Sequence, residues 1–463
     1  MKNNRREFIR LSGLAGIGLS AGAVLKASSA EEGKMKTSAS DQTKRAQKFN
    51  MSGYAAPRLD VVRIGIIGVG SRGMGAVDRL SRIEGVIIKA VCDKRPEATA
   101  AAKKALIGKG PEPVAYDGSE DIWKKVCERD DIDLIYTATP WDLHTPIAVY
   151  AMEHGKHAAT EVPAAFTVEQ CWQLVETSEK TRKHCMMLEN CCYDFFELLV
   201  LNMVQQGFFG DIVHADCSYI HDLNDEIVWS KNRFADMWYL KHCTTRTGNL
   251  YPTHGLGPVC QVMNINRGDK MDYMVSLSGI DFLMGDKAKM LASTDDFYKP
   301  YVGRKFNGNM NTSIIRTNKG RSIMLQYDGT SPRPYTRIQM VSGTKAVSQK
   351  YPEPGRIATG HEWLNQDEYR KLEERFNPPI IKKIGELAKK VGGHGGMDFI
   401  MDWRLIYCLR NGLPLDQDVY DAALWSSIGP LSELSIANRS TSVDIPDFTN
   451  GSYRTNKPVD LSI

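Results

Sequence analysis

The sequence predicts an α/β fold: a doubly wound parallel sheet in the first half of the chain, then an α+β part built on a mostly antiparallel sheet. Three observations carry this. An apolar run at 61–67 empties into glycines at 68, 70 and 73. Strand-like and helix-like stretches alternate from 61 to about 190, as a parallel sheet with crossover helices requires. Past 190, strand-like stretches follow one another without regular intervening helices.

Each element has a local reason. In 61–75 a strand runs into Gly68, Gly70 and Gly73, spaced G-x-G-x-x-G. The first glycine permits the tight turn, the second lets a pyrophosphate approach the backbone, and the third lets the next helix pack close to the strand. The N–H groups of that helix start then point at the phosphates. Ser71 and Arg72 sit within this turn. The second strand, 86–92, ends at Asp93, about twenty residues past Gly73, where an acid holds a ribose hydroxyl. The combination predicts a dinucleotide site. Asp93 favours NAD, while Lys94 and Arg95 leave NADP open.

An alanine- and lysine-rich helix is predicted over 96–106. A strand at 134–138 opens into Thr139, Pro140, Trp141, Asp142, Leu143 and His144, and a helix at 145–154 is stopped by Gly155. Residues 157–160 read as a strand ending at Glu161, Val162 and Pro163, and 185–189 as another ending at Asn190. Ligands of such sheets bind beyond the carboxyl ends of strands. Ser71, Arg72, Asp93, Trp141, Asp142, Leu143, His144, Glu161, Val162 and Asn190 all fall there. Past Asn190 the pattern predicts a buried helix at 194–206 and strands at 212–219, 273–279, 312–317, 321–327 and 337–341. Helices return at 397–410 and 419–437 and could pack on either part. There are no internal repeats.

At 463 residues the chain suits two domains, placed at 59–190 and 191–463 behind a polar linker or surface arm at 31–58. The net charge of +4 is small and no basic stripe is interleaved with aromatics, which excludes nucleic acid as a partner. The ten cysteines show no C-x-x-C and no metal-ligand spacing, so they read as small buried hydrophobes and no metal site is indicated. Residues 1–30 resemble a twin-arginine export signal: Arg5 and Arg6, then Phe8 and Ile9, a weakly apolar run at 11–25, and Ser28, Ser29 and Ala30. The run is too short and glycine-rich for a membrane span. That route carries folded proteins to the periplasm or beyond, where free NAD is scarce, so the address implies a cofactor enclosed beforehand and recycled.

The glycine loop followed by Asp93, Thr139 and Pro140 ahead of His144, and the block from His154 to Glu161 with Pro163 resemble the glucose-fructose oxidoreductase and inositol dehydrogenase superfamily over about residues 60–345. The resemblance implies a Rossmann domain followed by an open-faced sheet. That superfamily usually has Glu-Lys-Pro where this chain has Glu161, Val162 and Pro163. Its lysine helps polarise the hydroxyl that loses hydride, so ordinary dehydrogenase chemistry lacks its usual group here. Glu161 to Pro163, Trp141 to His144, Glu189 to Tyr193, and above all Tyr251-Pro252-Thr253-His254 closely resemble glycoside hydrolase family 109. These are NAD-dependent α-N-acetylgalactosaminidases, often with twin-arginine signals. Trp238-Tyr239 departs from the family's Trp-Arg.

The resemblance implies a glycan substrate ending in α-linked N-acetylgalactosamine and a route in which NAD⁺ takes hydride from sugar C3. The resulting ketone acidifies the C2 proton, a base removes it, and the anomeric group is eliminated. Water adds back and NADH returns the hydride, so there is no net redox. Conventional glycosidases need two carboxylates across the scissile bond, and nothing in the sequence marks such a pair. Tyrosine and histidine can carry the protons instead. Tyr251 and His254, three apart, share a face on a helical turn and are the expected catalytic pair. The resemblance places Tyr219, Tyr239, Tyr251, Pro252, Thr253, His254 and Tyr335 near the sugar. It places the glycine loop, Asp93, Trp141 to His144, Glu161, Val162, Asn190 and Tyr251 near NAD. A sugar dehydrogenase of the same superfamily is the alternative, and a homo-oligomer is left open.

Overall fold

A computed structural model describes residues 45–231 and 237–463; the export-signal reading falls outside them. The first sheet contains β1 (Val62–Ile67), β2 (Val86–Cys92), β3 (Val114–Tyr116), β4 (Leu134–Thr137), β5 (His157–Thr160) and β6 (Cys185–Met187). Their order is β3-β2-β1-β4-β5-β6, all parallel, which is the doubly wound arrangement. β4, β5 and β6 are buried at every residue, as strands covered by helices on both faces must be. The helix Ser71–Leu80 buries Gly73, Ala76, Val77 and Leu80, one face at helical spacing.

The second sheet contains β7 (Ile212–Ile220), β8 (Met271–Ser278), β9 (Asn311–Thr317), β10 (Ser322–Asp328), β11 (Met340–Gly343), β12 (Val347–Gln349), β13 (Arg356–Ala358) and β14 (Val443–Asp444). Its order is β13-β12-β11-β7-β10-β9-β8-β14; only the β7–β10 pair is parallel. β9 alternates buried and open residues, so one face of this sheet packs inward while Ile314 and Leu277 face out.

Two expectations need correction. The strand expected at 337–341 begins only at Met340, because Ile338 and Gln339 take left-handed backbone conformations. Between β7 and β9 lie the helices Trp238–Thr245, Thr253–Val262 and Met284–Ala292, where strands without regular intervening helices were expected. Gly255, Gly257 and Pro258 lower helix propensity in the second of these. Burial of nine of its ten residues overrides them.

The C-terminal helices join the two halves. Met397–Asn411 lies on the first sheet's helical layer, where Asp402 accepts from Arg79 Nε at 2.7 Å and from the Tyr136 hydroxyl at 3.2 Å. Val419–Ala437, started by an Asp418/Asp421 capping box, is buried on nearly every side. Its Ser426 Oγ accepts from the Ala164 N–H at 3.1 Å behind β5, and its Ser435 Oγ accepts from the Ser276 N–H of β8 at 2.9 Å. One hydrophobic core runs from Ile66 and Tyr136 through Trp425 to Ile315 and Leu325. At the other end, residues 45–58 form an arm: Arg45 pairs with Glu169 and Glu176, and Met51 is buried. No helix among the described residues is long and apolar enough to cross a membrane.

Candidate active site

A cavity of about 760 Å³ lies beyond the carboxyl ends of β1, β2, β4 and β5 and extends to the second sheet. At one end Gly68, Gly70, Ser71, Arg72 and Asp93 line it. Trp141, Leu143, His144, Glu161, Val162 and Asn190 follow, and Tyr219, Tyr239, Tyr251 and His254 form the far wall. These residues, scattered over nearly 190 positions, thus share one space. Gly73, Asp142, Pro252, Thr253 and Tyr335 do not line it. Gly73 supplies close packing: a Cβ there would sit 1.8 Å from the Gly68 carbonyl oxygen. Asp142 accepts from Lys241 at 3.1 Å, and Pro252 and Thr253 begin the helix that carries His254. Tyr335 stands behind Tyr219 and His221, its hydroxyl accepting from Arg337 Nη1 at 3.1 Å.

The first end suits a dinucleotide. Gly68 has φ +84°, and a Cβ there would meet the Ala138 carbonyl oxygen at 2.6 Å, so the turn requires glycine. A Cβ on Gly70 would meet only the Arg95 side chain, at 3.1 Å. The helix Ser71–Leu80 has no side-chain cap and no acid in its first turn, leaving its leading N–H groups for an anion. Thr139 Oγ1, on the same cavity, is buried without a hydrogen-bond partner. Asp93 ends β2 as expected, but the Arg95 guanidinium lies across it, with Nε 3.0 Å from Oδ1 and Nη2 3.3 Å from Oδ2.

Toward the middle, Arg72 donates to Glu161 at 2.6 Å and to Asp398 at 2.7 Å. Asp398 also accepts from Asn190 and faces His394 Nδ1 at 2.9 Å. Burial alone would raise the Asp398 carboxyl, but Arg72, His394 and Arg79 outweigh it and hold it well below the carboxylate range. His144 has both ring nitrogens against backbone carbonyls, Pro163 at 2.7 Å and Thr139 at 2.8 Å. Burial lowers its basicity against the opposing pull of the two carbonyls, and with both nitrogens engaged it offers a cofactor its ring. Val162 is buried on the wall and brings no titratable group.

At the far wall Tyr219, Tyr251 and His254 form a triangle of rings. Centroids are 4.6 Å apart for the two tyrosines, 4.8 Å for Tyr251–His254 and 5.2 Å for Tyr219–His254. Tyr251 precedes the helix Thr253–Val262 instead of sharing it, so the pair meets across the helix start. Trp141 packs on Tyr239 and Tyr251 from the cofactor side. Burial pushes the phenols of Tyr219, Tyr239 and Tyr251 well above their ordinary value.

His254 carries a partner without an assigned role in the sequence reading. Its Nδ1 lies 2.7 Å and 3.0 Å from the two oxygens of Glu189, which is wholly buried just past β6. Burial would raise the Glu189 carboxyl, but the charge and hydrogen bond of His254 outweigh it and hold it low. A carboxylate there fixes Nδ1 as the protonated nitrogen and leaves Nε2 for a proton. Cys191 brings its sulfur within 4.8 Å of this pair, but burial pushes its thiol well up and Sγ faces Asn190 Oδ1 at 3.6 Å, so it remains a thiol. The signal for Glu189 was its place at a strand end, one residue before Asn190. For His394 and Asp398 it was a histidine set in the run Gly392-Gly393-His394-Gly395-Gly396.

Comparison with known proteins agrees with this geometry. Residues 62–189 match the family model for the NAD-binding Rossmann fold of an oxidoreductase family, and NAD is the cofactor of this chain. Among solved structures, levoglucosan dehydrogenase with NADH and levoglucosan superposes with a TM-score of 0.62 at 17% identity, over 83% of this chain and all of that one. The myo-inositol dehydrogenase of Lactobacillus casei with NAD(H) and myo-inositol gives 0.57 at 16% identity, over 84% and 99%. At such identities the likeness is one of fold. Curated sequences come much closer. A Bacteroides fragilis protein named alpha-N-acetylgalactosaminidase is 51% identical over 421 residues, 89% of this chain and 97% of its own length. A Porphyromonas gingivalis glycosyl hydrolase family 109 protein is 46% identical over 465 residues, 96% of each chain. Residues 193–455 match the model of the glycosyl hydrolase 109 C-terminal domain, and with more than half of its length inside that match this chain belongs to glycoside hydrolase family 109.

Proposed function

We propose that this chain is an exo-acting glycosidase that releases terminal α-linked N-acetylgalactosamine through an NAD-dependent cycle without net redox. The observation that carries the reading is the His254–Glu189 pair facing Tyr251 across the wall of the same cavity that holds the glycine loop. The name and 51% identity of the Bacteroides fragilis relative support the substrate.

Bound NAD⁺ would supply reversible hydride acceptance at sugar C3, while the C3 hydroxyl proton passes to the Tyr219–His221 pair, whose hydroxyl and Nδ1 are 2.9 Å apart on the same cavity. Gly70, the uncapped helix start, Thr139 and Asp93 would hold the cofactor, with Trp141 and Val162 packing beside it. Glu161 is engaged by Arg72 and Asp93 by Arg95, so neither of these acids is free to serve as a glycosidase carboxylate. His254 takes the proton from sugar C2 on Nε2, and Glu189 stabilises the imidazolium that forms, as a buried acid does behind a histidine base. Tyr251, kept protonated by burial, donates to the leaving oxygen. Tyr219 and Tyr239 wall the sugar, Tyr239 being fixed by a 3.1 Å contact between its hydroxyl and that of Tyr327.

The experiment is turnover of a chromogenic α-N-acetylgalactosaminide in heavy water with no added cofactor. Released sugar should carry deuterium at C2 and its original hydrogen at C3. Accumulation of keto sugar with NADH would instead identify a dehydrogenase, and product with no label at carbon a carboxylate glycosidase. The reading also includes export. Arg5, Arg6 and the apolar run at 11–25 support twin-arginine transport of the loaded protein to the periplasm or beyond, tested by fractionating cells that express Arg5→Lys/Arg6→Lys.

A further inference from the structure

The segment 392–396 joins the helix Pro379–Val391 to the helix Met397–Asn411. All five of its residues have positive φ: Gly392 86°, Gly393 83°, His394 46°, Gly395 72° and Gly396 110°. Four are glycine, the residue that adopts this region without strain. The fifth is a histidine, which carries a cost there, and its side chain is 58% exposed, so core packing does not explain it. His394 lines the cavity beside Ser71, Arg72 and Gly75. Its Nδ1 is 2.9 Å from Asp398 Oδ2 and 3.4 Å from Arg72 Nη1, while Nε2 bonds no group among the described residues.

We propose that the loop 392–396 is a cofactor clasp in which His394 Nε2, beside the start of the helix that follows the glycine loop, accepts a hydrogen bond from a ribose hydroxyl of NAD. The proposal rests on the reading of this cavity as the NAD site. Asp398 is the positioning residue. It holds His394, Arg72 and Asn190 at once, and so ties three groups facing the cofactor to one fully buried carboxylate. The Asp398 carboxylate makes Nδ1 the protonated nitrogen and leaves Nε2 as an acceptor toward the cavity, and a ribose hydroxyl of the cofactor is the donor that suits it.

The test measures dinucleotide content and release. Wild-type protein and His394→Asn, which keeps the tolerance for left-handed backbone but removes the ring, are purified, loaded with NAD⁺ and diluted. Bound dinucleotide is then quantified over time. The variant should release it about 10-fold faster, the scale of one net hydrogen bond, with the melting temperature of the cofactor-free protein unchanged. Equal release from a loaded wild type and variant overturns the clasp. A wild type that takes up no NAD⁺ overturns the reading of the cavity itself. Hydrogen exchange on the wild type gives an independent measure, because NAD⁺ should slow exchange of the amides at 392–398. Exchange there unaffected by saturating NAD⁺ also overturns the proposal, even if His394→Asn fails to fold.

Discussion

His254 Nδ1 sits 2.7 Å from an oxygen of Glu189, a carboxylate from which solvent is wholly excluded. The two residues are 65 positions apart and belong to different sheets' surroundings, one just past β6 and the other on the helix behind β7. This contact orients the histidine and sets what it can do.

Removing either side should cost catalysis and spare cofactor binding. His254→Ala and Tyr251→Phe should each lower kcat by at least ~10²-fold, the usual scale for a positioned acid or base. Glu189→Gln keeps the shape, removes the charge, and should shift the acid limb of the kcat/KM pH profile as well as lower kcat. Dinucleotide content of His254→Ala, measured after denaturation, should match wild type.

The same pair predicts an acid dependence of stability. The folded-state value of Glu189 is depressed, so its ionised form adds stability above the unfolded glutamate value of about 4.3. That contribution disappears as pH falls through the lower folded value. Melting curves between pH 6 and 3 should show a loss in wild type that Glu189→Gln lacks; parallel curves would contradict it.

At the cofactor end, Gly70→Val should abolish dinucleotide retention, because its side chain would fill the place of the pyrophosphate and press on Arg95. Asp93→Ala should weaken NAD binding by about 1–3 kcal/mol through a lost charge-assisted bond. Equilibrium dialysis against labelled NAD⁺ checks both.

Tyr335 gives a fourth prediction, because its support is buried and charged. Arg337, 1% exposed, donates to Glu197 at 2.6 Å and holds the Tyr335 hydroxyl. Arg337→Met should destabilise by about 3–5 kcal/mol, since it takes the guanidinium from two buried acids, Glu197 and Asp194. Adding Glu197→Leu should recover part of that loss in denaturant melts, because Asp194 keeps Lys350 as its partner.

The first half was legible because its signals are local. A strand, three glycines and an acid fall within about thirty residues, and each strand end could be named from the apolar run before it. In the second half the helices at 195–205, 397–411 and 419–437 were legible too, but those between β7 and β9 were hidden. Gly255 and Gly257 read against a helix, yet they are there because the helix Thr253–Val262 packs so tightly. A Cβ on Gly255 would lie 2.9 Å from the Ser218 nitrogen of β7, and one on Gly257 would lie 2.7 Å from Glu189 Cγ. That approach is what brings His254 to Glu189. The Arg72–Asp398 bond spans 326 positions, and no spacing rule reaches so far. Tyr251 and His254 could be paired from sequence, but the geometry that joins them is a loop turning into a helix.

The C-terminal helices give this molecule an order of assembly. Asp398 and His394 close one flank of the cofactor cavity, and Ser426 caps the backbone behind β5. On a ribosome these residues emerge long after 62–189, the stretch that matches the NAD-binding Rossmann fold. A nascent chain arrested at 190 therefore has its phosphate loop but not the carboxylate that aims Arg72, nor the serine that steadies Ala164. The cofactor cavity is thus complete only when the last quarter of the chain has folded onto the first sheet.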